Sequence, residues 1–251
     1  MKIRLLSDLH TEFRLPYKTQ PFAEYRGEDV LVLAGDIASG STNTMDVIKF
    51  FRDQGFPEII YVPGNHEYYG TSFDEFNAKM ENKCFAYDNV HFLNPGTVEI
   101  DDVLFVGGTL WTNFGDNPFS QSAARRGIND FRMIRDFDVN RCAQTYYEHF
   151  DFIKDQYEHR YGKKVVVGTH FLPARECIAP RFRNGDLIND YFANNLGDYI
   201  ANMSDTTWLF GHTHDATDIL LGDTRVVANP HGYYTALNDG IGFDPFKVIE
   251  V

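Results

Sequence analysis

Five apolar runs in this chain stop abruptly at short polar clusters that share one chemistry. Residues 3–6 lead into Ser7-Asp8-Leu9-His10, 30–34 into Gly35-Asp36, 59–62 into Gly64-Asn65-His66-Glu67, 165–167 into Thr169-His170, and 208–210 into Gly211-His212-Thr213-His214. A short apolar, β-rich run bounded by turn residues reads as a buried strand. The clusters are therefore expected to converge at one edge of a sheet. Asp8, His10, Asp36, Asn65, His170, His212 and His214 offer the oxygen and neutral imidazole donors that hold divalent metals. These seven candidates suffice for two ions sharing a carboxylate, and His66 is left over as an acid or base.

Further strand candidates lie at 103–106 and 225–228, and helical patterns at 44–52, 72–82, 139–161 and 187–202. Strands alternating with helices predict an α/β fold, a sheet covered by helices. The first three clusters follow the first three strands with helices between, a βαβ-like order whose ligands gather beyond the carboxyl ends of strands. At 251 residues the chain is expected to be a single domain, 1–251, with an irregular, loop-rich cap near 112–138 that carries Arg125, Arg126, Arg132 and Arg135.

Each cluster taken singly also fits a turn or a core residue. In Asp8-Leu9-His10 an extended backbone would send Asp8 and His10 to the same side. Asp36 ends a run that reads as buried on both faces, where an unpaired charge is costly; a metal would relieve it, as would an N-cap or Asx turn. Asn65 binds a cation without adding charge, His66 could face substrate, and Glu67 could orient a neighbour. Asn65 and Arg132 are candidate substrate contacts, Arg132 through planar bidentate donors to phosphate, although a solvated helix face explains the Arg group as well. Trp111 and Phe114 could wall a pocket or pack a core, and His231 could stand at a pocket rim. The joint order of the five clusters is what points to a metal centre.

In that order the motifs resemble those of the calcineurin-like metallophosphoesterases: Asp-x-His at 8–10, Gly-Asp at 35–36, Gly-Asn-His-Glu at 64–67, a histidine at 170 and Gly-His-x-His at 211–214. The resemblance implies a four-layer α/β sandwich of two mixed sheets flanked by helices, with two metals at the strand ends. It places one ion on Asp8, His10, Asp36 and His214 and the other on Asp36, Asn65, His170 and His212. It makes His66 the catalytic group beside the scissile phosphate, which a hydroxide held between the ions attacks. Ser39 stands where the family has an acidic or basic residue, and Thr169 precedes His170 where the family has Gly. The first departure counts against a protein phosphatase.

The implied activity is a metal-dependent phosphodiesterase for a small nucleotide or a nucleic-acid end. Phosphomonoesterase or nucleotide pyrophosphatase is the alternative, and a non-catalytic metal-stabilised scaffold is a distant third. The donor set suits Mn first, with Fe, Zn, Co or Ni also compatible. The expected partner is a small phosphoester. With 23 basic against 36 acidic residues and a net charge of −13, extended duplex nucleic acid is disfavoured. The chain opens on a strand-like segment, carries no apolar run of membrane-spanning length, and has three scattered cysteines, so a cytoplasmic, reduced protein off the membrane is expected.

Overall fold

Val30-Leu31-Val32-Leu33-Ala34 is buried at every position, as a central strand covered on both faces must be. The computed structural model describes residues 1–251 apart from 235, 237 and 238. In chain order its strands are β1 (Lys2–Leu6), β2 (Val30–Ala34), β3 (Glu58–Val62), β4 (Val90–Phe92), β5 (Gly96–Ile100), β6 (Val103–Gly108), β7 (Lys164–Thr169), β8 (Thr206–Phe210), β9 (Thr217–Leu221), β10 (Thr224–Ala228) and β11 (Val248–Glu250). They form two mixed sheets, ordered β11-β1-β2-β3-β4 and β5-β6-β7-β8-β10-β9. β1 to β4 run parallel with β11 antiparallel at the edge. β6, β7, β8 and β10 run parallel between antiparallel β5 and β9.

Successive residues of a strand point to opposite faces, so one strand feeds two cores. Ile3, Leu5, Val30, Val32, Ile60 and Val62 of the first sheet join Val103, Phe105, Val166 and Leu209 of the second in one apolar cluster between the sheets. The alternate residues, Leu31, Leu33, Ile59 and Tyr61, share a cluster with Met45, Ile48 and Phe51 of helix α1 (Ser41–Asp53) and Phe76 and Met80 of α2 (Phe73–Cys84). On the second sheet, Leu104, Val106, Val165 and Val167 share it with the buried face of the long helix at Val139–Glu158. The result is the expected α/β layering of helix, sheet, sheet and helix.

The stretch 112–138, expected to be loop-rich, contains helix α3 (Pro118–Gly127) and the single turn α4 (Asp130–Met133), with the long Val139–Glu158 helix following as α5. Asn117 caps α3 by accepting from the Phe119 amide at 3.0 Å, and Pro118 occupies its first turn, where no donor is needed. Only Ser120 and Ala124 of α3 are buried, which is why no apolar stripe announces it. Conversely, the helix expected over 187–202 is broken into α6 (Asn189–Phe192) and α7 (Gly197–Ala201). Between them the Asn194 amide donates to the carbonyl of Trp111 at 2.9 Å, ending the helical run to satisfy buried backbone. β4, β5, β9 and β11 are short or half-exposed strands with no continuous apolar run to reveal them.

Cys84, Cys142 and Cys177 are free thiols, all buried. Among the described residues no helix is long and apolar enough to cross a membrane.

Candidate metal centre and active site

The residues that follow β1, β2 and β8 leave the strands through tight left-handed turns. Asp8 has φ 54°, His10 45°, Asp36 53°, His212 68° and His214 50°. The extended alternation expected for Asp8 and His10 is therefore absent; the turns bring the two side chains together instead. Asp and His enter this region more readily than most residues, but each instance still costs about 1–3 kcal/mol. Hydrogen bonds hold it: the Asp8 amide donates to the Gly35 carbonyl (2.9 Å), the His10 amide to the Asp36 carbonyl (2.9 Å), and the His212 amide to Asp8 Oδ1 (3.0 Å). Two glycines allow the loops to approach. A Cβ on Gly64 would lie 2.2 Å from Asp36 Oδ1, and one on Gly35, at φ +84°, would lie 2.3 Å from His170 Nδ1.

All seven ligand candidates come together. Donor atoms of Asp8, His10 and His214 lie mutually within 4.8 Å, as do those of Asp36, His170 and His212. Asp36 Oδ2 stands between the groups, 3.7 Å from His10 Nε2 and 3.5 Å from His170 Nε2. Asn65 Oδ1 is 3.2 Å from His170 Nε2. Asp8, His10, Asp36 and His170 are buried almost completely.

The hydrogen bonds fix which atoms are left to bind a cation. Carboxylates and carbonyls only accept, so the ring nitrogens facing them carry hydrogen. His10 Nδ1 donates to Glu12 Oε1 (3.2 Å), His214 Nδ1 to Asp239 Oδ2 (2.9 Å) and His170 Nδ1 to the Ala34 carbonyl (2.8 Å). Each Nε2 is turned inward as a lone pair. His10 Nε2 and His214 Nε2 then face each other at 3.1 Å, His170 Nε2 faces an amide oxygen, and His212 Nε2 is buried with no partner among the described residues. Acceptors aimed at acceptors need a positive charge between them. Without a metal, protons supply it: burial opposes the charge, yet Asp36 holds His170 up to about 9, and Asp239 and Asp8 hold His214 up to about 10. Both the donors and their electrostatics fit divalent cations.

His66 stands apart from this set. Its Nδ1 donates to Glu12 Oε1 at 3.0 Å, while its Nε2 lies 4.0 Å from Asp36 Oδ2 and 3.4 Å from the Tyr233 hydroxyl. Burial works against its charge, but Asp36 and Glu12 push its pKa up to about 9. Glu67, expected from sequence to orient a neighbour, is fully buried and accepts from the backbone amides of Asp36, Ile37 and Gly64 at 2.8–3.0 Å. It ties two of the ligand loops together.

Three contributors carry no sequence motif: Asp239 behind His214, Tyr233 beside His66, and Asp130 behind Asn65. Asp130 is buried and accepts from Asn65 Nδ2 (3.1 Å), the Tyr69 hydroxyl (2.7 Å) and the Tyr191 hydroxyl. Because the amide nitrogen is committed to Asp130, Asn65 Oδ1 faces the cluster. Asp130→Asn is expected to let the amide rotate and to weaken a cation bound through Asn65 Oδ1 by about 10–100-fold, read by metal titration calorimetry.

A cavity of about 710 Å³ opens from Asp36, Asn65, His66, His212 and His214. Arg132 does not line it: this exposed side chain donates to the Arg126 carbonyl at 2.7 Å, a solvated helix-surface role. Arg126 bonds Ser122, and Arg135 bonds Glu75. Arg181, on a different segment, lines the cavity and pairs with Asp215 at 2.7 Å. Trp111 and Phe114 are wholly buried core residues, and His231 lies outside the lining.

A family model for calcineurin-like phosphoesterases matches residues 1–216. An uncharacterized protein of Acanthamoeba polyphaga mimivirus is 29% identical over 99% of this chain and 96% of its own length. Among solved structures, phosphopantetheinyl hydrolase from Mycobacterium tuberculosis superposes with TM-score 0.75 at 18% identity, covering 92% of this chain and 89% of that one. A 5'-nucleotidase from Staphylococcus aureus, described as putative, gives 0.52 at 14% identity over 90% of this chain and 48% of its own.

Proposed function

Since the chain belongs to the calcineurin-like phosphoesterase family, we propose that it is a dinuclear metal-dependent phosphodiesterase acting on a small molecule. Asp8, His10, Asp36 and His214 would hold one cation, and Asp36, Asn65, His170 and His212 the other. Two such ions supply neutralisation of the phosphoryl oxygens and acidification of water.

The protein's own groups do the rest. Glu12 keeps the proton on His66 Nδ1, so the proton on Nε2 is the one His66 releases to the departing ester oxygen. The Glu12 carboxylate beside Nδ1 favours the protonated ring. Tyr233, with its hydroxyl 3.4 Å from Nε2, steadies the ring. These roles are those of a positioned general acid.

The observation that carries the diester preference is the charge of the lining. Among its described residues Arg181 is the sole Arg or Lys, and it is already paired with Asp215, while Asp186 and Asp239 add carboxylates. A diester brings one negative charge, and a monoester brings close to two at neutral pH. Ser39 supplies no cation in compensation; its carbonyl accepts from Asn43 at the start of α1. Beyond the cations themselves, which attract either anion, the lining thus favours the monoanion.

Turnover of bis-p-nitrophenyl phosphate and p-nitrophenyl phosphate, each with added Mn²⁺ or with chelator, tests this reading. The diester is expected to exceed the monoester with Mn²⁺, and chelator to abolish both. A monoester faster by tenfold or more would make the protein a phosphomonoesterase.

A further inference from the structure

We propose that the cavity beside the candidate ions binds a neutral, apolar ester arm of the substrate, aliphatic or aromatic, rather than a sugar-phosphate or other polyanionic arm. The inference rests on the phosphoesterase reading of the same site and names the class of substrate it takes.

The volume of about 710 Å³ is that of a small-molecule site and far exceeds what a phosphoryl group needs. Its lining joins Asp36, His66 and His212 to an apolar set, Ile128 and Met133 from the α3–α4 segment and Ile178, Phe182, Ile188 and Phe192 from the segment between β7 and β8, with the Phe192 ring stacked on His212 at 4.9 Å between centroids. None of these wall residues is a ligand candidate, although the second segment opens with His170. The apolar wall is thus an addition to the ion-binding strand ends.

That wall is partly open to water. Met133 is 46% exposed and Phe182 45%. Exposed apolar side chains grouped at the mouth of a cavity leave surface for a ligand to cover. An apolar arm gains most from covering them.

Charge selects in the same direction. Asp186 repels additional phosphates, and Arg181 shares its charge with Asp215. A chain of nucleotides would present a charge at every link. A neutral arm meets no such penalty, and each methylene it buries improves binding by up to about fourfold.

The test uses p-nitrophenyl alkyl phosphodiesters from methyl to hexyl, so that the leaving group and its chemistry stay constant, alongside the p-nitrophenyl ester of thymidine 5'-phosphate. With Mn²⁺ present, kcat/KM is expected to rise at least tenfold from methyl to hexyl and to exceed the thymidine ester. Ile188→Asn should flatten the dependence on chain length. Turnover with no dependence on chain length, or a thymidine ester preferred tenfold, would overturn this inference and leave the phosphoesterase reading intact. No metal-dependent turnover of any diester would overturn both.

Discussion

Asp36→Asn is expected to strip the protein of both cations at once and to reduce turnover to background. The bridging role predicts this, because Asp36 Oδ2 lies within 3.7 Å of an imidazole nitrogen from each donor group. Disturbing a residue behind a metal ligand costs about 10–100-fold in affinity, and loss of a charged ligand shared by two ions exceeds that at each site. The fold has reason to survive the change. The Asp36 side chain accepts one backbone hydrogen bond, from His66 at 2.9 Å, which an amide oxygen can also accept. Metal content measured on folded variant protein separates this outcome from unfolding. Retention of one ion at full affinity would show that Asp36 serves one site alone.

His66→Ala is expected to lower kcat by about 10²–10⁴-fold while leaving metal content intact. The imidazole is held by Glu12 and points its other nitrogen toward the cavity, the arrangement of a proton donor to a leaving oxygen. The deficit should shrink with more acidic leaving groups, which depart without a proton. Comparing the variant on esters of nitrophenol and of an aliphatic alcohol checks this. Metal lost in proportion to activity would make His66 a ligand.

The ligand residues are legible in the sequence because each follows a strand that is itself legible: five uninterrupted apolar runs end at five polar turns. What brings them together is less visible. Asp8 and His10 meet through left-handed turns rather than strand alternation, and nothing in a three-residue motif distinguishes the two. Asp130, which opens the single-turn α4, and Asp239 and Tyr233, from irregular backbone, obey no spacing rule, so they emerge only when the chain is folded. One signal was present: Asp130 follows a helix opened by Asn117-Pro118, a start pattern that would have placed order in 112–138. Arg132 misleads for the opposite reason. Its neighbours concentrate positive charge in sequence, yet α3 and α4 direct that charge to the surface, and the cavity takes its Arg from residue 181.

The most direct measurement is a titration of metal-free protein with Mn²⁺, following bound metal and diester hydrolysis together. The account predicts two ions per chain, with activity appearing only as the second site fills. Full activity at one ion per chain, or hydrolysis that persists in metal-free protein, would contradict it.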